Sequence, residues 1–280
     1  MRCLGMAVFN TKLTGIYCYL NINAVKNTHG YGTVAGIAEM LYRFALDVYT
    51  WKKLGIQRGN GMNTRMALLE ELNRLRHDIL AMATRVEEDL GKALTALRTN
   101  DAELAREVKA GDAVVNALQL KIEDEAAIVI ATQQPVARDL RELVTIFKLT
   151  GNLERAGDHA VHLAKTALKL AGEPPFRSME RLERMAEIGQ EMIRAAISAF
   201  LSQDAEGARK AAALDDAIDG EHKAIIEEVL SLMKEHPKLV KKAYRLINTS
   251  SHLERLGDHI TNICEGIIYM IEGHHEELNE

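Results

Sequence analysis

The sequence predicts an all-α protein built as two tandem three-helix bundles that are related by an internal repeat. Three observations support this fold class. The 280 residues include only four prolines and 5% aromatic residues, and the abundant Ala, Leu, Glu, Lys and Arg lose little side-chain freedom in helices. Apolar residues recur at helical spacing. One eight-residue string occurs twice, which indicates a repeat architecture.

The first 61 residues differ in composition from the rest of the chain. They hold seven Lys or Arg against two acids, a net +5, whereas the remainder carries 28 against 38, a net −10. Five of the seven tyrosines and the only tryptophan also lie there. The turn-like string Arg58-Gly59-Asn60-Gly61 ends this part. We therefore expect residues 1–61 to be an N-terminal extension, with a small accessory domain as the alternative, and the functional domain to begin at Met62.

The sequence also argues against several classes of protein. No apolar run approaches the roughly 20 residues that span a bilayer, and the apolar segment 13–25 is interrupted by Asn21 and Asn23 and has no signal-peptide cleavage pattern. Cys264 is the sole cysteine after residue 61, so no disulfide is expected within the main domain, which suits the cytoplasm. The net negative charge of that domain argues against a nucleic-acid partner.

The internal repeat is the most informative feature. The string LERAGDHA at 153–160 returns as LERLGDHI at 253–260, an offset of 100 residues. Upstream, the similar strings at 100–106 and 203–209 match at an offset of 103, and a three-residue deletion in a turn reconciles the two offsets. The predicted repeats are residues 62–172 and 173–280.

Each repeat is predicted to contain three helices, near 64–98, 101–131 and 137–170 in the first and near 179–202, 204–235 and 238–272 in the second. Pro135 and the Gly172-Glu173-Pro174-Pro175 linker interrupt the helical pattern. Short connections favour antiparallel neighbours. The apolar stripe of the first helix, spaced alternately by three and four residues, comprises Leu68, Leu72, Leu75, Ile79, Met82, Val86, Ala93 and Leu97.

The repeated string places two acids one above the other on a helix. Glu154 and Asp158 are four residues apart, as are Glu254 and Asp258. Like charges at this spacing destabilise a helix by a few tenths of a kcal/mol. Their recurrence therefore suggests a compensating cation, and hard cations prefer carboxylate oxygens. The alternative is a solvated helix face with local ion pairs.

The second helix of each repeat carries a matching pair of oxygen-bearing residues, also four apart. In an antiparallel bundle such a pair can lie beside the acids of the third helix. The predicted metal ligands are therefore Asp112, Asn116, Glu154 and Asp158 in the first repeat, called the first-half quartet, and Asp215, Asp219, Glu254 and Asp258 in the second, called the second-half quartet.

The other residues of the repeated string have weaker indications. The arginine after each glutamate is expected to form ion pairs or lie on the surface. His159 and His259 are rotated off the carboxylate face by one residue, which leaves open whether they bind metal directly or orient a ligand. Gly157 and Gly257 occur mid-helix, where Gly costs about 0.5–1 kcal/mol relative to Ala, and a close approach of a helix or ion is one reason for them.

At these residues the sequence resembles the PhoU family, the accessory regulators of Pst-type phosphate transport. The resemblance is carried by the paired LERxGDH strings, by the run RDLRELVTIFKLTGNLERAGDHA at 138–160 and by Gln134-Pro135 before it, and covers about residues 64–272. It implies tandem three-helix bundles, a homodimer and peripheral membrane association through a Pst-type phosphate ABC transporter and its ATPase. It also implies contact with a sensor histidine kinase and negative regulation of the phosphate-starvation response.

The resemblance further implies multinuclear metal sites, with divalent or trivalent ions such as iron, on pairs of E(D)xxxD motifs. The first half departs from that pattern, because Asn116 stands where the second acid is expected. An amide oxygen coordinates without bringing charge, so we expect weaker occupancy there.

Two other functions compete with a regulator of phosphate homeostasis. A carboxylate-bridged di-metal enzyme would use Glu-x-x-His pairs, and neither Glu154 nor Glu254 has a histidine three residues on, so we do not expect an enzyme. A metal-independent helical adaptor stays open.

Overall fold

The computed structural model describes residues 61–170, 178–235 and 240–278. These residues contain seven helices and no strand, which confirms the all-α prediction: α1 Gly61–Thr99, α2 Ala102–Gln133, α3 Ala137–Lys169, α4 Met179–Ser202, α5 Ala205–Ala212, α6 Asp215–Glu235 and α7 Val240–Glu272. None of these helices is long and apolar enough to cross a membrane. The predicted extension before Gly61 and the predicted linker at 172–175 lie outside the described residues.

The apolar stripe of α1 forms one side of the core. All eight of its predicted residues are buried, and none is more than 6% exposed. Polar contacts at the edges of the stripe show which helices it faces. Arg76 forms a two-pronged ion pair with the buried Glu142 of α3, and Gln190 of α4 donates to the backbone oxygen of Glu87. The first helix therefore packs across both repeats.

Matching caps begin the second helix of each repeat. The Asp101 carboxylate accepts hydrogen bonds from the backbone amides of Glu103 and Leu104, at 2.9 and 3.0 Å. The Asp204 carboxylate accepts one from the amide of Gly207 at 3.0 Å. Both acids satisfy amides that the helix itself leaves unpaired. The repeat detected in the sequence thus includes the helix boundaries.

The prediction of a single helix near 204–235 is wrong in one respect. It is divided into α5 and α6 by a turn at Ala213 and Leu214, where the Leu214 amide donates to the Ala211 oxygen three residues back. Two consecutive acids, Asp215 and Asp216, then begin α6, and negative charge stabilises a helix N-terminus. The corresponding α2 runs unbroken through Asp112. Asp215 therefore starts a helix, whereas its counterpart lies inside one.

The third helices of the two repeats pack against each other, so the repeats share one core rather than forming separate bodies. Residues 62–280 make a single compact unit. The Thr145 hydroxyl of α3 donates to the Gly266 oxygen of α7 at 3.2 Å, which requires close contact of the two backbones. Helix α2 packs on α3, while α4, α5 and α6 pack on α7.

Candidate metal centres

The second-half quartet lines one cavity of about 370 Å³. Helix α6 supplies Asp215 and Asp219, and α7 supplies Glu254 and Asp258, so the structure brings together the four acids that the sequence predicted for this half. Asp216, Arg209 and Leu278 complete much of the wall. The cavity is therefore strongly acidic.

Asp215 is the most constrained member of this quartet. Its Oδ2 accepts a hydrogen bond from the Thr261 hydroxyl at 3.1 Å. Its Oδ1 is buried and has no hydrogen-bond partner among the described residues. A buried carboxylate oxygen without a partner is costly. Such an oxygen is suited to coordinating a cation.

The electrostatics of the second-half quartet also favour a cation. Burial, with the charges of the other three acids, raises the pKa of Asp215 to about 7, against the hydrogen bond from Thr261. Burial followed by the charge of Asp258 raises the pKa of Glu254. Burial followed by the charge of Asp219 raises the pKa of Asp258. The ionised acids therefore repel one another in a partly dry site, and bound positive charge would relieve that repulsion.

Helices α2 and α3 also bring together the three acids of the first-half quartet, Asp112, Glu154 and Asp158. Burial raises the pKa of Glu154, and the charges of Asp158 and then Asp112 raise it further while Arg155 lowers it. The side-chain oxygen of Asn116 is buried with no hydrogen-bond partner among the described residues. Each half thus has one unsatisfied oxygen on its second helix, at the second position of the pair in the first half (Asn116) and at the first position in the second half (Asp215). The donor sets fit hard cations, since all eight side chains offer oxygen.

Arg155 lies over the acids of the first half. Its Nη1 is 3.3 Å from Asp158 Oδ2 and its Nε is 3.6 Å from Glu154 Oε2. This is the ion-pair role that the sequence suggested for Arg155. The pairing partly offsets the negative charge of this quartet.

The two motif glycines have different surroundings. A methyl group added at Gly257 would overlap Asp215 Oδ1, so this glycine is what allows the carboxylate to approach α7. A methyl group at Gly157 would lie 3.5 Å from Val115 Cγ1 and 3.6 Å from Val86 Cγ2, which is ordinary contact. The close approach expected at these glycines is present at Gly257 and absent at Gly157.

Two residues near the quartets were missed by the sequence reasoning. Glu123 adds to the charges that raise the pKa of Glu154, and its Oε1 accepts a hydrogen bond from Thr150 at 3.1 Å. His222 contacts the Ser250 hydroxyl at 2.9 Å. Glu123 is eleven residues after Asp112, and His222 is seven residues after Asp215. Both therefore continue the helix face of the quartet residues. Extending the stripe beyond the first pair would have found them.

A trio outside the quartets has the most compact set of candidate ligand atoms. Among the described residues, Glu272, His274 and Glu276 form the one group of three whose ligand atoms lie within 4.8 Å of one another. Arg209 already pairs with both carboxylates, at 2.8 and 2.7 Å. The trio therefore has its counter-charge, whereas the quartet acids stand further apart and would have to draw together around an ion.

The motif histidines make their side-chain contacts across the packing of α3 against α7. His159 of α3 contacts His252 of α7, with 3.1 Å between their Nδ1 atoms, and His259 contacts the Asn152 oxygen at 3.0 Å. Burial, reinforced by neighbouring histidines, lowers the pKa of His159 to about 3. Burial, reinforced by His162, lowers the pKa of His252 to about 4. Both rings are uncharged at neutral pH and lie in the seam between the two repeats.

The fold and the two quartets define a class of protein: a tandem-repeat helical bundle with one acidic cluster in each half. The family model described as the PhoU domain matches residues 79–167 and 182–267, once in each repeat. The chain belongs to the PhoU family.

Individual relatives agree with this assignment. The "phosphate-specific transport system accessory protein PhoU homolog" of Clostridium acetobutylicum is 32% identical over 218 residues, which are 78% of this chain and 100% of that protein. The crystal structure of PhoU from Pseudomonas aeruginosa has a TM-score of 0.70 at 34% identity and covers 73% of this chain and 99% of its own. The crystal structure of "the phosphate transport system regulatory protein PhoU" from Streptococcus pneumoniae has a TM-score of 0.70 at 31% identity. It covers 75% of this chain and 99% of its own.

The raised pKa of Asp215 predicts how the stability of the metal-free protein depends on pH. Because the folded pKa, about 7, exceeds the ordinary value of 3.8, its stabilising contribution is complete below about pH 4 and is lost as the pH rises to 7. In the unmodified protein this titration should lower the free energy of unfolding by about 1–2 kcal/mol between pH 4 and 7, after allowance for partial exposure. We expect that decrease to be absent from Asp215→Asn. Urea unfolding in EDTA at pH 4 and 7 measures it, with Asp216→Asn as control. If the free energy of unfolding of Asp215→Asn changed between pH 4 and 7 as much as that of the unmodified protein, the raised pKa of Asp215 would be contradicted.

The two glycines predict opposite effects of one substitution. Gly257→Ala should lower the free energy of unfolding by about 1–3 kcal/mol, because the new methyl group displaces the Asp215 carboxylate from its bond with Thr261. Gly157→Ala should raise it by about 0.5–1 kcal/mol, because Ala favours the helix and the space accepts it. Chemical unfolding of both variants beside the unmodified protein is the measurement. Equal effects in the two variants would show that Gly257 has no special steric role.

Proposed function

We propose that this chain regulates phosphate uptake and phosphate homeostasis in the cytoplasm, as a non-catalytic accessory protein of a Pst-type phosphate ABC transporter. It contacts the transporter ATPase, associates with the membrane only through its partners and acts as a homodimer. Through a sensor histidine kinase it represses the phosphate-starvation response. Membership of the PhoU family supports the proposal, as do the accessory and regulatory roles for which the relatives are named.

The proposal includes a metal site in each half, formed by the two quartets. The observation that carries it is the unsatisfied buried oxygen in each, Asn116 Oδ1 and Asp215 Oδ1. Divalent or trivalent ions such as iron or manganese suit these oxygen donors. A bound ion supplies positive charge that neutralises the quartets and fixes the second helix of each repeat to the third.

Metal in the second half would change the mechanics of that repeat. Asp215 and Asp219 lie in the first turns of α6, directly after the turn at Ala213 and Leu214. An ion held between these residues and α7 therefore fixes the start of α6, and with it the angle between α5 and α6. Partner contact with this part of the chain would then depend on metal occupancy. A metal-independent adaptor would lack that dependence.

The difference between the quartets predicts unequal metal contents. Asp258→Ala should lose more metal than Asp158→Ala, because the second half has four acids, of which Lys223 pairs with Asp219, whereas the first has three acids, Asn116 and the pairing Arg155. Asn116→Asp should increase the metal content, since it adds the missing charge. Elemental analysis of protein purified from its own cytosol without chelator tests this. A larger loss from Asp158→Ala would contradict it.

Capture of the transporter ATPase tests the function itself. We expect the immobilised chain to retain the ATPase from a lysate of its own organism, and chelator to reduce the retained amount at least several-fold. The double variant Asp215→Asn with Asp219→Asn should behave like chelated protein, whereas Glu227→Gln, at an exposed position of α6 outside the cavity wall, should behave like unmodified protein. Binding that survives both treatments would favour the metal-independent adaptor. No binding in any condition would overturn the transporter assignment.

A further inference from the structure

Four histidines lie along the contact between α3 and α7, close in sequence to the acids of the repeated strings. They are His159, His162, His252 and His259, called the histidine seam. The rings of His162 and His252 are stacked, with centroids 4.2 Å apart and planes 6° apart. The rings of His159 and His252 have centroids 5.3 Å apart. His259 is next along the seam, 5.5 Å from His159.

The internal repeat makes one end of the seam richer in histidine than the other. At the offset of 100 residues, His159 corresponds to His259 and Asn152 to His252. The contact between His159 and His252 and the contact between His259 and Asn152 are therefore two copies of one arrangement. His162 corresponds to Asn262. One copy thus has three imidazoles where the other has one imidazole and two amides.

We propose that His159, His162 and His252 form a binding site for a borderline divalent transition metal, with zinc as the best match, separate from both acidic quartets. The two Nδ1 atoms of His159 and His252 are 3.1 Å apart. Zinc–nitrogen bonds of about 2.0–2.1 Å in a tetrahedron place two ligand nitrogens about 3.3 Å apart. These two nitrogens are therefore almost at ligating separation, and two bonds to one ion would replace the hydrogen bond between them once the rings turn their lone pairs towards it.

His162 supplies the third nitrogen. It is the exposed member of the trio, so its side chain is free to turn from the stack on His252 towards the ion. Three imidazoles and a water molecule complete a four-coordinate zinc site. Imidazole binds a metal through a ring nitrogen that carries no proton. Lys165 and Arg255 are near enough to lower histidine pKa values here, so the affinity is below that of a thiolate site.

Ligand chemistry separates this site from the quartets. Imidazole nitrogen favours zinc, copper and nickel, whereas carboxylate and amide oxygens favour harder ions such as magnesium and manganese. The structural consequence also differs. A quartet joins the second and third helices of one repeat, but the seam ion joins α3 to α7 and so fastens the two repeats together. Zinc should therefore raise the unfolding temperature of the whole unit.

Zinc titration of the full chain tests the proposal, with excess Mg²⁺ present to compete at the quartets. The site variant carries His159→Gln and His252→Gln. The control variant carries His77→Gln, at an exposed position on α1, and His274→Gln, which removes the histidine of the tail trio. We expect unmodified and control proteins to bind one zinc ion per chain and gain several degrees in unfolding temperature. The site variant should lose both effects.

Nitrogen-15 spectra of the imidazoles locate the ion. Zinc should move the ring-nitrogen resonances of His159, His162 and His252 and leave those of His77 in place. If the double variant fails to fold in EDTA, the single exposed change His162→Gln replaces it and should weaken zinc binding about tenfold. Zinc binding that is equal in the site and control variants, or shifts confined to other histidines, would overturn the proposal. None of these substitutions alters a quartet residue, so the transporter proposal stands or falls separately.

Discussion

The packing of α3 against α7 is the constraint on which the rest of the molecule depends. Each LERxGDH string lies on one of these helices and must satisfy three different neighbours, because successive residues of a helix point in directions about 100° apart. The leucines, Leu153 and Leu253, are buried in the core. The acids face the second helix of their own repeat. The histidines face the other repeat. A single short string therefore builds the core, the acidic quartet and the contact between repeats.

The two repeats have kept the same plan but not the same balance of charge. In the second half, a glycine admits a buried carboxylate, four acids converge and the adjoining helix is broken just before them. In the first half, the helix is continuous, an amide replaces one acid and Arg155 already offsets part of the charge. The second half therefore has the greater need of a cation. This asymmetry arises from individual side chains and from the break between α5 and α6, which has no counterpart in α2.

Local features of the fold could be predicted from the sequence, whereas contacts across helices could not. The stripe of α1 and the break at Pro135 follow from spacing and from the chemistry of single residues. The turn at Ala213 and Leu214 was missed because both residues favour helices. The quartets were found because residues four apart must share a helix face. The contact between His159 and His252, 93 residues apart, depends on how α3 is rotated against α7, which no spacing specifies.

The most direct test of the central claim is anomalous X-ray diffraction from crystals of protein purified with its own metal and measured at the absorption edge of that metal. The account predicts the strongest anomalous peak between α6 and α7, within coordination distance of the second-half quartet. A weaker peak is expected beside Asn116 in the first half. Full-strength anomalous density at the tail trio of Glu272, His274 and Glu276, with none at either quartet, would contradict the account.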